Sequence, residues 1–181
     1  MRYVILLRGI NVGGKHKVVM SELKQQVEAL GFANVVTYIN SGNVFFDSSE
    51  AKTVIQHRLE DMFAQHYSFP LGFALISADE LQAELEDLPE WWSDNHARKD
   101  VLFYLENVDK AHIEAHIRQW TLENERIYYG KHAIFWAKLD NDQYLQTAYA
   151  KYLAKAPFYK EVSIRNGKTF DKIQALIGLN Q

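Results

Sequence analysis

The sequence predicts an α+β protein made of two tandem ferredoxin-like subdomains, each a βαββαβ unit plus an extra helix on an antiparallel sheet. Three observations carry this reading. The hydrophobic pattern alternates between continuous apolar runs, as in buried strands, and three-to-four spacing, as in helices. The order strand, helix, strand, strand, helix, strand, helix over residues 1–90 recurs over 91–181 without evident sequence identity. A length of 181 residues accommodates two small domains. A single continuous sheet built from both halves uses the same elements and stays open as an alternative.

In the first half, "YVILLR" (3–8) is an apolar run suited to a central strand. Met20, Leu23, Val27 and Leu30 then fall at helical spacing, and Gly31-Phe32 forms a C-terminal stop. "VVTYI" and "VFF" flank Asn40-Ser41-Gly42-Asn43, a cluster that tolerates left-handed turn geometry, and so predict a hairpin. Ser48 or Ser49 is positioned to cap a helix carrying Ile55, Leu59, Met62 and Phe63. After Pro70 and Gly72 comes the strand "FALIS". Ser77 and Glu80 then have capping-box spacing for a helix with Leu81, Leu85 and Leu88, stopped by Pro89.

Residues 89–99 connect to the second half. "VLFYL" (101–105) is a strand, and Ile113, Ile117 and Trp120 mark a helix. "RIYY" and "AIFWA" flank Gly130-Lys131-His132 as a second hairpin. Leu145, Ala148, Tyr149, Tyr152 and Leu153 mark a helix, "VSIR" a strand, and Phe170, Ile173, Leu176 and Ile177 a closing helix.

Composition narrows the function classes. With 48% hydrophobic and 13% aromatic residues the chain supports a packed core and is not a disordered segment. No apolar run approaches the roughly 20 residues of a membrane span, and "MRYVILLRG" lacks the features of an export signal, so a cytoplasmic protein without membrane contact is expected. The absence of cysteine removes disulfides, thiol nucleophiles and cysteine-bound metal. A net charge of −3 argues against non-specific nucleic-acid binding. Charge is uneven, however. Arg2, Arg8, Lys15, Lys17 and Lys24 face only Glu22 within their own stretch and form a local positive island in an acidic half.

The island contains "LLRGINVGGKHK" (6–17), which approaches a phosphate-binding loop: Gly9, four residues, Gly14, Lys15. Such a loop needs a Ser or Thr next, to bind Mg²⁺, and needs its lysine on the first helical turn. His16 stands in the hydroxyl position, and Lys17, Val18 and Val19 separate Lys15 from the helical pattern. NTP hydrolysis is therefore not expected. Consecutive glycines and nearby cations still suit an anion site without hydrolysis. The bland alternative is that the glycines and Asn11 serve turn geometry and the lysines are solvated. The loop exceeds the roughly two to six residues usual between strand and helix, which favours function.

In the expected sheet the third strand lies between the first and second. The loop after the first strand and the hairpin between the second and third then emerge at the same end. Residues 9–19 and 40–43 should be neighbours, forming a composite surface of Arg8, Asn11, Gly13, Gly14, Lys15, Asn40, Ser41 and Asn43, with Lys15 and Asn43 facing a common cleft.

The stretch from Leu6 to Phe46, with RGINVGG, a lysine, a Met-x-x-Leu helix, a Gly-Phe stop and T-Y-x-x-S-G-N, resembles the N-terminal signature of the bacterial family known as domain of unknown function 1697. Arg165, Asn166 and Thr169 match that family's R-N-x-x-T element and suggest a second functional element, although Gly167 stands where the family usually has Trp. The resemblance implies a cytoplasmic protein of two α+β subdomains, and brings no activity or ligand with it.

Other candidates read less sharply. His112 and His116 share a helical face, but no third metal ligand is apparent, and no metal or cofactor is assigned. Trp91-Trp92 suits an anchor in the connector better than a platform for bases. Glu84, Glu86 and Asp87 read as a solvated helix face. Tyr128, Tyr129, Phe135 and Trp136 allow an RNA-reading sheet, but "RIYYG" is not the recognition signature. The leading expectation is a binding module for a small phosphate-bearing, nucleotide-like ligand. A phosphoryl- or nucleotidyl-transfer enzyme and a protein or RNA interaction module are the alternatives, and the sequence leaves the oligomeric state open.

Overall fold

The computed structural model of the chain describes residues 1–179. It contains two four-stranded antiparallel sheets with helices between the strands, the two tandem α+β subdomains that the sequence predicts. The open alternative, one continuous sheet, is not what forms. By their contacts, Met1–Glu80 and the chain from Ile173 onward group as one unit, and Leu81–Lys172 as the other. The expected boundary near residue 90 thus falls inside the second unit.

The first unit runs β1 (Arg2–Leu7), α1 (Met20–Ala29), β2 (Ala33–Tyr38), β3 (Asn43–Asp47), α2 (Lys52–His66) and β4 (Phe73–Ser77), which leads into α3 (Ala78–Glu86). Strand order is β2-β3-β1-β4, so β3 lies between β1 and β2 as the sequence argument required. Tyr3, Ile5 and Leu7 of β1 alternate into a core with Leu23 and Val27 of α1 and Ile55, Leu59, Met62 and Phe63 of α2. The capping box forms: the Ser77 N–H donates to Glu80 at 2.9 Å and the Glu80 N–H to Ser77 Oγ at 3.2 Å. The expected Ser48 or Ser49 cap does not. α2 starts after Ala51, whose side chain has no acceptor, and Ser48 Oγ instead accepts from the Glu50 N–H in a local turn.

The second unit runs β5 (Arg98–Tyr104), α4 (Lys110–Ile117), β6 (Glu125–Tyr129), β7 (Ala133–Lys138), α5 (Ala148–Tyr152) and β8 (Val162–Asn166), and leads into α6 (Gly167–Ile177), which from Ile173 belongs to the first unit. Its order, β6-β7-β5-β8, repeats that of the first sheet. The helical stretch expected around 145–153 is broken into a 3₁₀ turn, the five-residue α5 and a second 3₁₀ turn. Thr147 is the physical cause: its Oγ1 accepts from the Ala150 N–H and starts the helix afresh. Both faces of the central strands are covered. Trp136 packs with Trp120 and Tyr149 on one side, and Phe135 meets Trp92 and Phe170 on the other.

Candidate functional site

The loop leaving β1 is a small hairpin of its own. Val12 and Lys15 form a β-bridge closed by the Lys15 N–H donating to the Val12 carbonyl at 3.1 Å. Gly13 and Gly14 between them have φ of +59° and +70°, the double left-handed geometry of a type I′ turn, which glycine adopts without steric cost. Both are exposed, and no atom lies within 4 Å of where a Cβ would stand. Lys15 and Lys17 are exposed beside them. Lys15 closes this turn and α1 begins only at Met20, so no helix end lies beneath the lysine as a hydrolase loop requires.

Asn11 holds the loop in place. Its Nδ2 donates to the Val18 carbonyl at 3.0 Å and to the Asn40 carbonyl at 2.9 Å, and its Oδ1 accepts from the Val18 N–H at 2.8 Å. Asn11 adopts φ +54°, a conformation that Asn tolerates better than most residues. One amide thus spans the loop and ties it to the β2–β3 turn. The Leu7 N–H donates to the Gly42 carbonyl at 2.9 Å, a second tie between the two loops. The predicted neighbours are neighbours. His16, the residue that spoiled the hydrolase motif, stacks on Phe69 with ring centroids 4.5 Å apart, and its Nδ1 lies 3.2 Å from the Gly9 carbonyl. It is a brace that the motif comparison had not suggested.

The composite surface splits into two groups. Gly13, Gly14, Lys15 and Asn40 are exposed, and Arg8, Asn11 and Ser41 half-buried. Asn43 corrects the expectation that it faces a cleft with Lys15. It is fully buried, and its Nδ2 donates to the Tyr38 carbonyl at 2.8 Å and to Ser41 Oγ at 3.3 Å. A buried amide must satisfy its donors internally, and the β2–β3 turn offers those acceptors. Asn11 too is committed to backbone.

The second suspected element divides similarly. Arg165 is buried, donating to Ser163 Oγ at 3.1 Å and to the Ile164 carbonyl at 2.8 Å, and burial lowers its pKa to about 10. Asn166 Oδ1 caps α6 by accepting from the Thr169 N–H at 2.9 Å, and Thr169 is buried. Of the three, only Asn166 is exposed.

The other sequence candidates have structural roles. His116 packs edge-on against Trp120 and Phe158, both at 5.6 Å, and no group of three or more His, Asp or Glu among the described residues could hold a metal. Trp92 meets Phe135 within the second unit, and its carbonyl accepts from Lys99 Nζ. Phe135 and Trp136 are fully buried and so present no surface for stacking bases. No helix among the described residues is long and apolar enough to cross a membrane.

Glu84 overturns the reading of a solvated acidic face. It is buried, and its carboxylate accepts from the N–H groups of Lys131, His132 and Ala133 at 3.1 to 3.3 Å in the β6–β7 turn. Burial raises its pKa, against the lowering effect of these amides. Its helical spacing from Leu81 and Leu88 was visible, but nothing in a charged run says that a turn elsewhere supplies three donors. Sequence reasoning also missed Asp100, Lys138 and Tyr149. Lys138 Nζ is fully buried, pairs with Asp100 and lies 3.7 Å from the centre of the Tyr149 ring. Burial pushes the Asp100 and Tyr149 pKa values up and that of Lys138 down, the last against the raising effect of Asp100.

The family model for a protein of unknown function, DUF1697, matches residues 1–135. The chain belongs to the DUF1697 family. Its signature residues 8–15 and 40–43 are thus the two loops that Asn11 ties together. Among solved structures, that of a conserved bacterial protein from Streptococcus pneumoniae is similar over 97% of this chain and 98% of the other, with 50% identity and a TM-score of 0.94. No curated protein matches the chain. The DUF1697 match and the structural likeness establish lineage and fold, and neither carries a ligand.

Proposed function

We propose that the protein is a binding module for a small phosphate-bearing molecule, nucleotide-like in chemistry, held at the exposed Gly13–Gly14 turn. The observation that carries this reading is the turn itself, open on its outer side, flanked by Lys15 and Lys17 and braced by Asn11 against the Asn40 carbonyl. Backbone N–H groups at such a turn are donors of the kind that receive phosphate oxygens, and two ammonium groups beside them supply charge-assisted bonds. Pre-ordering the loop through Asn11 and His16 lowers the entropic cost of binding. Asn43 and Asn11 have no direct ligand role in this reading, since both amides are spent on the fold. Arg8, half-buried at the loop's origin, adds to the positive field.

Thermal-shift titration of nucleotides and sugar phosphates against wild type and Lys15→Ala tests this. Ligand at about 100 times its Kd stabilises a one-site protein by about 2.7 kcal/mol. A saturable shift in wild type that is strongly reduced in Lys15→Ala is the expected result. Absence of any shift, or an equal shift in the variant, removes the reading.

A further inference from the structure

The connection between α2 and β4, residues 67–72, is a third segment at the end of the sheet where the signature loops meet. The Arg8 N–H donates to the Gly72 carbonyl at 2.9 Å, which ties this connection to the exit of β1. It carries two half-buried rings, Tyr67 and Phe69, with centroids 5.7 Å apart, and both pack against the core of the first unit. The Tyr67 hydroxyl also donates to Gln26 Oε1 at 2.8 Å. Phe69 is thus an anchored ring.

His16 lies flat on that ring. The two planes are 17° apart and the centroids 4.5 Å apart, a stacked arrangement. The Gly9 carbonyl, 3.2 Å from Nδ1, can only accept, so Nδ1 carries the hydrogen and one edge of the imidazole is held. His16 is nevertheless exposed. Phe69 covers one face of the ring, and the opposite face is the one open to a ligand. Gly14 and His16 are two residues apart, at most about 7 Å along the chain, within the reach of a nucleoside 5′-phosphate from phosphate to base. Imidazole is among the rings on which nucleobases stack, and a purine covers it most fully with its two fused rings.

We propose that His16 is the base-stacking residue of the phosphate turn, and that the ligand is a purine nucleoside 5′-phosphate whose base lies on the open face of the imidazole. This role depends on the Gly13–Gly14 turn receiving phosphate. It narrows the ligand from phosphate-bearing molecules in general to those that bring an aromatic plane. His16 is then both a brace of the loop and its specificity-determining residue.

The full-length ¹⁵N-labelled protein is titrated with adenosine 5′-monophosphate and, in parallel, with ribose 5-phosphate, following the Gly13–Lys15 amides and the His16 ring protons. Both ligands should give saturable shifts at the turn, the nucleotide with about tenfold higher affinity, the scale of one base–ring stack. Only the nucleotide should move the His16 ring protons upfield, the signature of a base over the ring face. His16→Asn keeps a residue that accepts φ +51° and should bring the two affinities to within about twofold of each other. If His16 only braces the loop, both affinities fall together in His16→Asn, the ratio survives, and the stacking role is overturned. Equal affinity of the two ligands for wild type overturns it as well, and in both cases phosphate reception at the turn stands. No saturable shift at the turn with either ligand overturns both.

Discussion

Replacing Asn11 isolates the energy that holds the two signature loops together. Asn11→Gly removes three side-chain hydrogen bonds, at 2.8 to 3.0 Å, while keeping a residue that accepts φ +54°. A net hydrogen bond contributes about 0.5–1.5 kcal/mol, and water can replace part of the outer one to Asn40, so the loss is about 2–3 kcal/mol. Asn11→Ala loses the same bonds and also forces a Cβ-bearing residue into the left-handed region, which adds about 1–2 kcal/mol. The difference between the two variants therefore reads the left-handed backbone cost, less the roughly 0.4–1 kcal/mol by which Ala restricts the unfolded chain relative to Gly. Amide hydrogen exchange is the suitable assay, because it reads the loop residue by residue, whereas all four tryptophans (91, 92, 120 and 136) lie in the second unit. Protection of the Val18 amide, which donates to Asn11, should collapse in both variants. Wild-type protection of Val18 in Asn11→Gly would refute this account of the loop.

Three further perturbations concern the second unit and are read by tryptophan fluorescence. A Cβ on Gly130 would stand 1.8 Å from Glu84 Oε1, so Gly130→Ala should cost about 2–4 kcal/mol by expelling the carboxylate from its three amides, and should cost far less in a Glu84→Ala background. Because the folded state raises the Glu84 pKa, it holds that proton more tightly than the unfolded chain does. The stability of wild type relative to Glu84→Gln should therefore fall as pH rises from the ordinary carboxylate range through the raised value, as chemical denaturation across that range will show. Asp100→Asn strands a fully buried ammonium and should cost about 3–5 kcal/mol, whereas Asp100→Leu with Lys138→Met should recover most of that loss.

Both sheets and their strand order were legible because the apolar runs and helical spacing of each half agree with the same topology. The adjacency of the 9–19 and 40–43 loops followed from that order alone, and the Asn11 bond to Asn40 bears it out. What sequence could not supply was the direction in which polar side chains point. Asn43 and Asn40 belong to the same turn, yet one is fully buried and the other exposed, because Asn43 already begins the inner strand β3, buried from Asn43 through Phe46, whereas Asn40 sits in the turn before it. Glu84 reads as solvent-facing until the β6–β7 turn supplies donors from 47 residues away. Lys138 ends a strand in a sequence rich in surface lysines, and only the tertiary placement of Asp100 and Tyr149 explains its complete burial.

The central claim is that the open glycine turn after β1 receives phosphate. A ¹H–¹⁵N titration of the full chain with a nucleoside monophosphate, and in parallel with inorganic phosphate, tests it most directly. The account predicts saturable shifts at the Gly13, Gly14 and Lys15 amides, weakened by Lys15→Ala and by rising salt. Shifts confined to other parts of the chain, or no saturable shift at this turn, would contradict it.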